Sequence, residues 1–282
     1  MSTISFLNMK GGVGKTTLAV NVAYGLSFYN DKDVLLVDVD PQFNATQYLV
    51  QGAKYVKYIE DEDNLTITDI FRSNPLTFPT TTGTGKKIAR PKPTLKNTTM
   101  NVVSYTNGPG KLDIIPSNLD LMTVETSERG AEYRLARFLD TIKEAYDNII
   151  IDCPPTTSIY TCSAFLASDA IVTPVKPDHL SSIGLPLLDN VIAKYENDYA
   201  KKVTKLGVIF NMVHKGHRLD RRVMQEIRLS GRPYFTNYLR SSTTIARSVQ
   251  ARLPIFRYDD SKREHGPDLR NICNELLQKM ES

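Results

Sequence analysis

The stretch Lys10-Gly-Gly-Val-Gly-Lys-Thr-Thr17 carries the strongest chemical signal in the sequence. Glycines Gly11, Gly12 and Gly14 let the backbone curl until successive N–H groups point inward, which makes a nest for an anion. Upstream, Ile4 to Asn8 reads as an apolar strand. Downstream, Lys15 to about Tyr29 reads as a helix, whose N-terminus adds positive partial charge at the same place. The chemistry that suits this arrangement is capture of a nucleotide's phosphates. Lys15 is placed to pair with the β- and γ-phosphates, and the Thr16 hydroxyl to ligate Mg²⁺. Val13 and Thr17 complete the loop. A plain Gly-rich turn with an incidental lysine is the competing reading, and Gly-Lys-Thr-Thr between a strand and a helix argues against it.

Two acidic motifs end further apolar runs. Val34 to Asp38 leads into Asp38-Val-Asp40-Pro41-Gln42, followed by Asn44-Ala45-Thr46. Ile149 to Asp152 leads into Cys153-Pro154-Pro155. Ligands of open α/β sheets bind beyond the carboxyl ends of the strands, where these acids fall. Asp152 suits a place in a Mg²⁺ shell, the Walker B role. Asp38 and Asp40 have a simpler alternative, ending a strand and capping a helix. A later run, Gly207-Val-Ile-Phe-Asn211, ends in an amide that can both donate to and accept from an adenine edge, or serve as a turn residue. His179, His214 and His217 stand isolated, and no histidine or cysteine arrangement points to another reaction.

These residues need a scaffold that sets several strand ends side by side. Short β-branched runs recur at Val34 to Asp38, Leu112 to Ile115, Asn148 to Asp152, Ala170 to Val175 and Leu206 to Asn211. Helical patterns separate them at Ala131 to Tyr146 and Leu180 to Tyr199. Apolar Leu269, Ile272, Cys273, Leu276, Leu277 and Met280 mark a last helix packed on the core. This alternation predicts an α/β fold: one phosphate-loop domain over 1–282, a mostly parallel twisted sheet with helices on both faces. Asn74 to Gly110, rich in Pro, Gly and Thr, is expected to be an irregular excursion. It would expose Lys86, Lys87, Arg90, Lys92 and Lys96.

Bulk properties exclude several classes. Hydrophobic residues make up 41% and charged residues 23%, so the chain should fold. No secretory signal or membrane-length apolar run is present. Three cysteines without a CxxC pair argue against a disulfide framework or zinc site and fit a reducing cytosol. Net charge is only +4, yet between Lys201 and Arg263 fifteen Lys or Arg face four acids. That concentration suits a polyanion, although a solvated basic surface has the same composition.

The loop lacks the first glycine of GxxxxGK[ST], because Met9 stands there, and Lys10 precedes Lys15 by five positions. KGGxGK[ST] resembles the deviant phosphate-loop ATPases, the family of ParA, MinD and the nitrogenase iron protein. The resemblance runs from Ile4 to about Met280, apart from Asn74 to Gly110. The segments DxDPQ and NAT, DCPP, and the block Ala246 to Asp259 are most similar to ParA proteins. The likeness is to their short form, which leaves operator binding to a partner.

Membership would imply ATP and ADP as ligands with Mg²⁺, and an ATP-dependent homodimer in which Lys10 reaches the partner's nucleotide. Spacing alone leaves open a Lys10 that serves its own phosphate. It would further imply Asp38, Asp152 and Thr16 around Mg²⁺ (partly through water), Asp40 aligning the attacking water with help from Asn44, and Asn211 with the backbone near Pro254 around the base. Lys10, Lys15 and Asp40 would carry catalysis. Non-specific duplex DNA and a ParB-like centromere-binding protein would be partners, in a cytoplasmic, nucleoid-associated setting. Arg218, Arg221, Arg222, Arg240, Arg247 and Lys262 form the pool of DNA contacts. A cargo-positioning ATPase would carry an identical site, so its gene neighbourhood or partner separates it. A MinD-like regulator would bind liposomes with ATP, but the polar face of the last helix suits anionic lipid poorly. A nucleotide-binding module without turnover would release no phosphate.

Overall fold

The computed structural model describes residues 2–72, 91–104, 110–126, 130–258 and 265–281. In chain order the elements begin with β1 (Ser2–Phe6), α1 (Lys15–Tyr29), β2 (Asp33–Asp38), α2 (Asn44–Leu49), α3 (Gly52–Glu60) and α4 (Ile67–Phe71). After these come α5 (Leu95–Thr98), β3 (Met100–Ser104), β4 (Lys111–Ile115), α6 (Arg134–Ile142), β5 (Asn148–Asp152) and α7 (Ile159–Ala167). The last are β6 (Ala170–Val175), α8 (Ser181–Asp198), β7 (Thr204–Phe210), α9 (Arg218–Leu229), α10 (Thr243–Gln250) and α11 (His265–Glu281).

Among the described residues the strands form one seven-stranded sheet in the order β3-β4-β2-β5-β1-β6-β7. Every pairing is parallel except that of β3 with β4. The central strands are apolar on both faces because helices cover both. Alternation along a strand sends Val34, Leu36 and Ile150 to one layer, with α1 and α11. Leu35, Val37, Ile149 and Ile151 face the other, with α4, α6, α7 and α8. Beyond β7, the α9 residues Val223, Met224 and Ile227 close a third cluster with Val175 and Phe210.

The Asn74 to Gly110 region is not irregular throughout. Met100–Ser104 forms an antiparallel edge strand with a register shift between Asn101 and Val103. Lys92 and Lys96 are exposed, as expected; Lys86, Lys87 and Arg90 lie outside the described residues. The helix expected over Ala131 to Tyr146 is α-helical only at Arg134–Ile142, with 3₁₀ turns on either side.

The last helix packs as its spacing requires. Leu269, Ile272, Cys273 and Leu276 are buried in the α1 layer. Gly25 permits the close approach, since a Cβ there would sit 2.6 Å from the Cys273 Sγ. Among the described residues no helix is long and apolar enough to cross a membrane. Glu275 ties α11 to the chain after β7. Its Oε1 accepts from the Thr236 N–H at 2.7 Å, and its Oε2 accepts from the Asn237 N–H at 2.9 Å and the Asn237 side-chain amide at 2.7 Å. Burial alone would raise this carboxyl, but the bonds from Asn237 and Thr236 leave it below the ordinary glutamate range. A lowered folded pKa stabilises above the unfolded value and loses that contribution as pH falls through the folded one. Glu275→Gln is therefore expected to cost about 1–2 kcal/mol at pH 7, a figure reduced for partial exposure. Urea titrations should show the difference shrinking below about pH 4.

Candidate nucleotide site

The phosphate loop leaves the end of β1 and is pinned at both ends by asparagines. Asn8 donates from Nδ2 to the Pro174 carbonyl at 2.7 Å, and its Oδ1 accepts from the Lys10 N–H at 3.0 Å. Asn211, at the end of β7, donates from Nδ2 to the carbonyls of Val13 at 2.8 Å and Gly14 at 3.3 Å. Gly12 and Gly14 adopt φ of 74° and 77°, the left-handed region open to glycine. A Cβ on Gly14 would also lie 2.2 Å from the Asn211 amide nitrogen. From this loop α1 starts with no side-chain cap and no acid in its first turn. Its first N–H groups and dipole are left for an external anion.

Lys15 lies buried beneath the loop, its Nζ donating to the Lys10 carbonyl at 3.4 Å. Burial pushes its ammonium down, against the attraction of Asp152, Cys153 and Asp40. Lys10 points elsewhere. Its Nζ bonds both carboxylate oxygens of Asp178, at 2.5 and 2.6 Å.

The sheet register sets Asp38 directly beside Asp152. Asp38 is fully buried and its oxygens are engaged: Oδ2 accepts from the Thr46 N–H and hydroxyl, both at 2.8 Å, and Oδ1 from the Asp40 N–H at 3.2 Å. Burial pushes its carboxyl up to about 7, against those Thr46 bonds. Asp38 thus shapes the turn that carries Asp40 while lying beside Asp152. Asp152 is the opposite case. Both its oxygens are buried, and the Thr16 hydroxyl beside them is the one side chain that eases the carboxylate by hydrogen bonding. Burial first, and the adjacent Asp38 charge second, push its carboxyl well above the usual range.

A buried carboxylate with so little hydrogen bonding is costly unless a cation meets it. Asp152 with the Thr16 hydroxyl offers the hard oxygen donors that Mg²⁺ takes. When bound there, Mg²⁺ supplies charge neutralisation for phosphoryl transfer. Asp40 is nearly buried and turns one oxygen to the Gln42 N–H at 2.9 Å. Its carbonyl accepts from the Ser117 hydroxyl at 3.1 Å, which steadies the turn from the end of β4. Next to it Phe43 holds φ of 42°, strained for a residue with a side chain, and its ring stacks on Tyr55.

Beside the loop opens a cavity of about 440 Å³, lined by Thr16, Thr17, Asn44, Gln47, Tyr48, Val249, Gln250 and Arg252. Its size fits a nucleoside. The wall residues Gln47 and Tyr48 carried no signal in the sequence, because they reach the cavity only when α2 packs near the C-terminal block that supplies Val249, Gln250 and Arg252. The C-terminal block is held there by Asn21 of α1, whose Oδ1 accepts from the Ile255 N–H at 2.8 Å.

A family model described as an AAA domain matches residues 1–205. The sporulation initiation inhibitor protein Soj of Bacillus subtilis is 31% identical over 275 residues, 92% of each chain. The chain belongs to the ParA family of partition ATPases. Solved structures agree on the fold. A plasmid partition protein of Borrelia burgdorferi bound to AMPPNP has a TM-score of 0.73 at 21% identity, covering 99% of each chain. An ATP complex of Cyanothece McdA has a TM-score of 0.74 at 18% identity, covering 100% of this chain and 96% of the other.

Placed on this ParA-family fold, the expected site residues separate. The loop, Lys15, Thr16, Asp40 and Asp152 gather at neighbouring strand ends. Asn211 comes to the loop itself, and its amide is spent on loop carbonyls where an adenine contact was expected. Pro254 is buried, and Val249, Gln250 and Arg252 of the same C-terminal block line the cavity. Of the basic pool, Arg218, Arg221 and Arg222 are exposed on α9 and Arg247 on α10. Arg222 pairs with Glu226 at 2.9 Å on the surface. Arg240 is committed to Asp268 at 2.8 Å and half-buried, which removes it as a free DNA contact. Lys262 lies outside the described residues.

Proposed function

We propose that this chain is a DNA partition ATPase that pairs face to face around ATP and Mg²⁺ and grips duplex DNA in that state. A ParB-like centromere-binding protein stimulates hydrolysis, and the dimer then lets go. The observation that carries the reading is the pair of lysines on one loop. Lys15 is buried under the loop, where the chain's own phosphates would lie. Lys10 projects from the same loop to Asp178 with its side chain 24% exposed, and so is not consumed by the site of its own chain. A second cation aimed outward from a phosphate loop suits a triphosphate presented by another copy. In the paired state Asp40 aligns the attacking water, while the loop amides, Lys15 and the partner's Lys10 neutralise the transferred group.

For DNA, Arg218, Arg221 and Arg222 supply exposed cations on α9. Contacts of this kind go to phosphates and carry no sequence information. The protein would thus act in the cytoplasm on the nucleoid. In fluorescence anisotropy with duplexes of unrelated sequence, ATP should raise affinity at least about tenfold over ADP or no nucleotide, and the affinity should fall steeply with salt. Equal affinity in all three nucleotide states would refute the switch.

A further inference from the structure

We infer that Asp178 is a positioning residue for Lys10: it holds the ammonium off the partner's triphosphate until two chains meet, and so sets the ATP level at which they pair. The inference rests on the pairing proposed above. It goes beyond it by naming the group that restrains the loop lysine in the lone chain.

The geometry is specific. Lys10 Nζ meets both Asp178 oxygens, at 2.5 and 2.6 Å, in a two-point contact. The pair is partly shielded, with side chains 24% and 31% exposed. Its main-chain anchors are firm on both sides. Lys10 is held through Asn8, which bridges to β6. Asp178 Oδ1 also accepts from the N–H groups of Leu180 and Ser181, both at 3.1 Å, and from the Ser181 hydroxyl at 3.0 Å. These bonds fix the carboxylate at the start of α8, the helix that follows β6. Asp178 therefore stays in place whether or not Lys10 is present.

A cation can satisfy only one strong anion at a time. The carboxylate carries one negative charge, whereas a triphosphate with its metal presents several oxygens. Without a second nucleotide, Asp178 keeps Lys10. When a partner's phosphates arrive, Lys10 is drawn across and Asp178 falls back on Ser181 and the α8 N–H groups. Pairing must then break an existing contact, which makes it less sensitive to low ATP than an unrestrained lysine would be.

Asp178→Asn separates this role from simple capping. Asparagine accepts the same N–H bonds at a helix start about as well as aspartate, but it lacks the charge that holds Lys10. In nucleotide-free protein, labelling of lysines with an amine-reactive acetylating reagent, read by mass spectrometry, should speed at Lys10 several-fold in Asp178→Asn. Other lysines serve as the internal standard. In light scattering against a non-hydrolysable ATP analogue, the variant should pair at an analogue concentration about five- to tenfold lower than the wild type. That gain should vanish in a Lys10→Ala background. Unchanged Lys10 labelling would overturn the restraint, and so would unchanged or weakened pairing in a variant that melts like the wild type. If neither protein pairs with the analogue, the pairing reading itself fails, while the labelling result still decides whether Asp178 holds Lys10.

Discussion

Asp40→Ala should lower ATP turnover by at least about a hundredfold while leaving nucleotide affinity within a few-fold of the wild type. The site explains this split. Asp40 sits at the end of the turn shaped by Asp38 and Thr46. Its carboxylate touches the Gln42 N–H and no phosphate-loop donor. On the proposed role, removing it deletes a group that acts on water in the transition state and leaves the binding groups of the ground state. Its main-chain contacts to Phe43 and Ser117 do not depend on the side chain, so the turn should survive. Fluorescent-analogue binding and phosphate release, measured on one preparation, check both halves. A parallel loss of affinity would mean that Asp40 holds the nucleotide, and retained turnover would assign the water to another group.

Lys15→Ala should abolish measurable turnover, a loss of at least about a thousandfold, and should also weaken nucleotide binding at least about tenfold. Two effects combine. On the proposed reading, the variant loses the cation placed to meet the β- and γ-phosphates. It also loses the counter-charge that faces Asp152 and Asp40 from beneath the loop. The second effect has a signature in the folded state. Asp38 and Asp152 are buried side by side with raised pKa values. A raised folded pKa favours the fold below the unfolded value, and the advantage disappears as pH rises through the folded one. For Asp38 that window runs from about 4 up to about 7. Without Lys15, the nucleotide-free chain should lose more melting temperature between pH 5 and 8 than the wild type does. Calorimetry across that range, beside phosphate release, measures both consequences. A variant with wild-type turnover would remove Lys15 from the chemistry.

Much of the scaffold could be read from local pattern. The bounds of α1, β5 and β6 match the residues expected for them; in β5 the polar Asn148 and Asp152 mark the ends of an apolar run, Ile149 to Ile151, that is fully buried. The phosphate loop was legible because its glycines and lysine act through backbone curl and position, which neighbouring residues fix. Edge strand β3 was hidden. Its five residues follow a Pro- and Thr-rich stretch, and only Met100 of them is buried. Side-chain roles that depend on distant partners were harder still. Asn211 shares the strand-end position expected of it, yet reaches across 198 residues to Val13. Asp178 lies 168 residues from Lys10, and nothing in its surroundings along the chain marks it as that lysine's partner. Asp38 and Asp152 looked equivalent as strand-end acids. Only Thr46, arriving with α2, ties Asp38 into the turn, while Asp152 keeps just the Thr16 hydroxyl beside it.

The most direct measurement is the mass of the particle in solution with a non-hydrolysable ATP analogue and Mg²⁺, by light scattering on a sizing column. The account predicts twice the single-chain mass for the wild type with the analogue, and the single-chain mass with ADP, without nucleotide, or for Lys10→Ala under any condition. A wild-type chain that stays single with the analogue, or a Lys10→Ala chain that pairs as readily as the wild type, would contradict it.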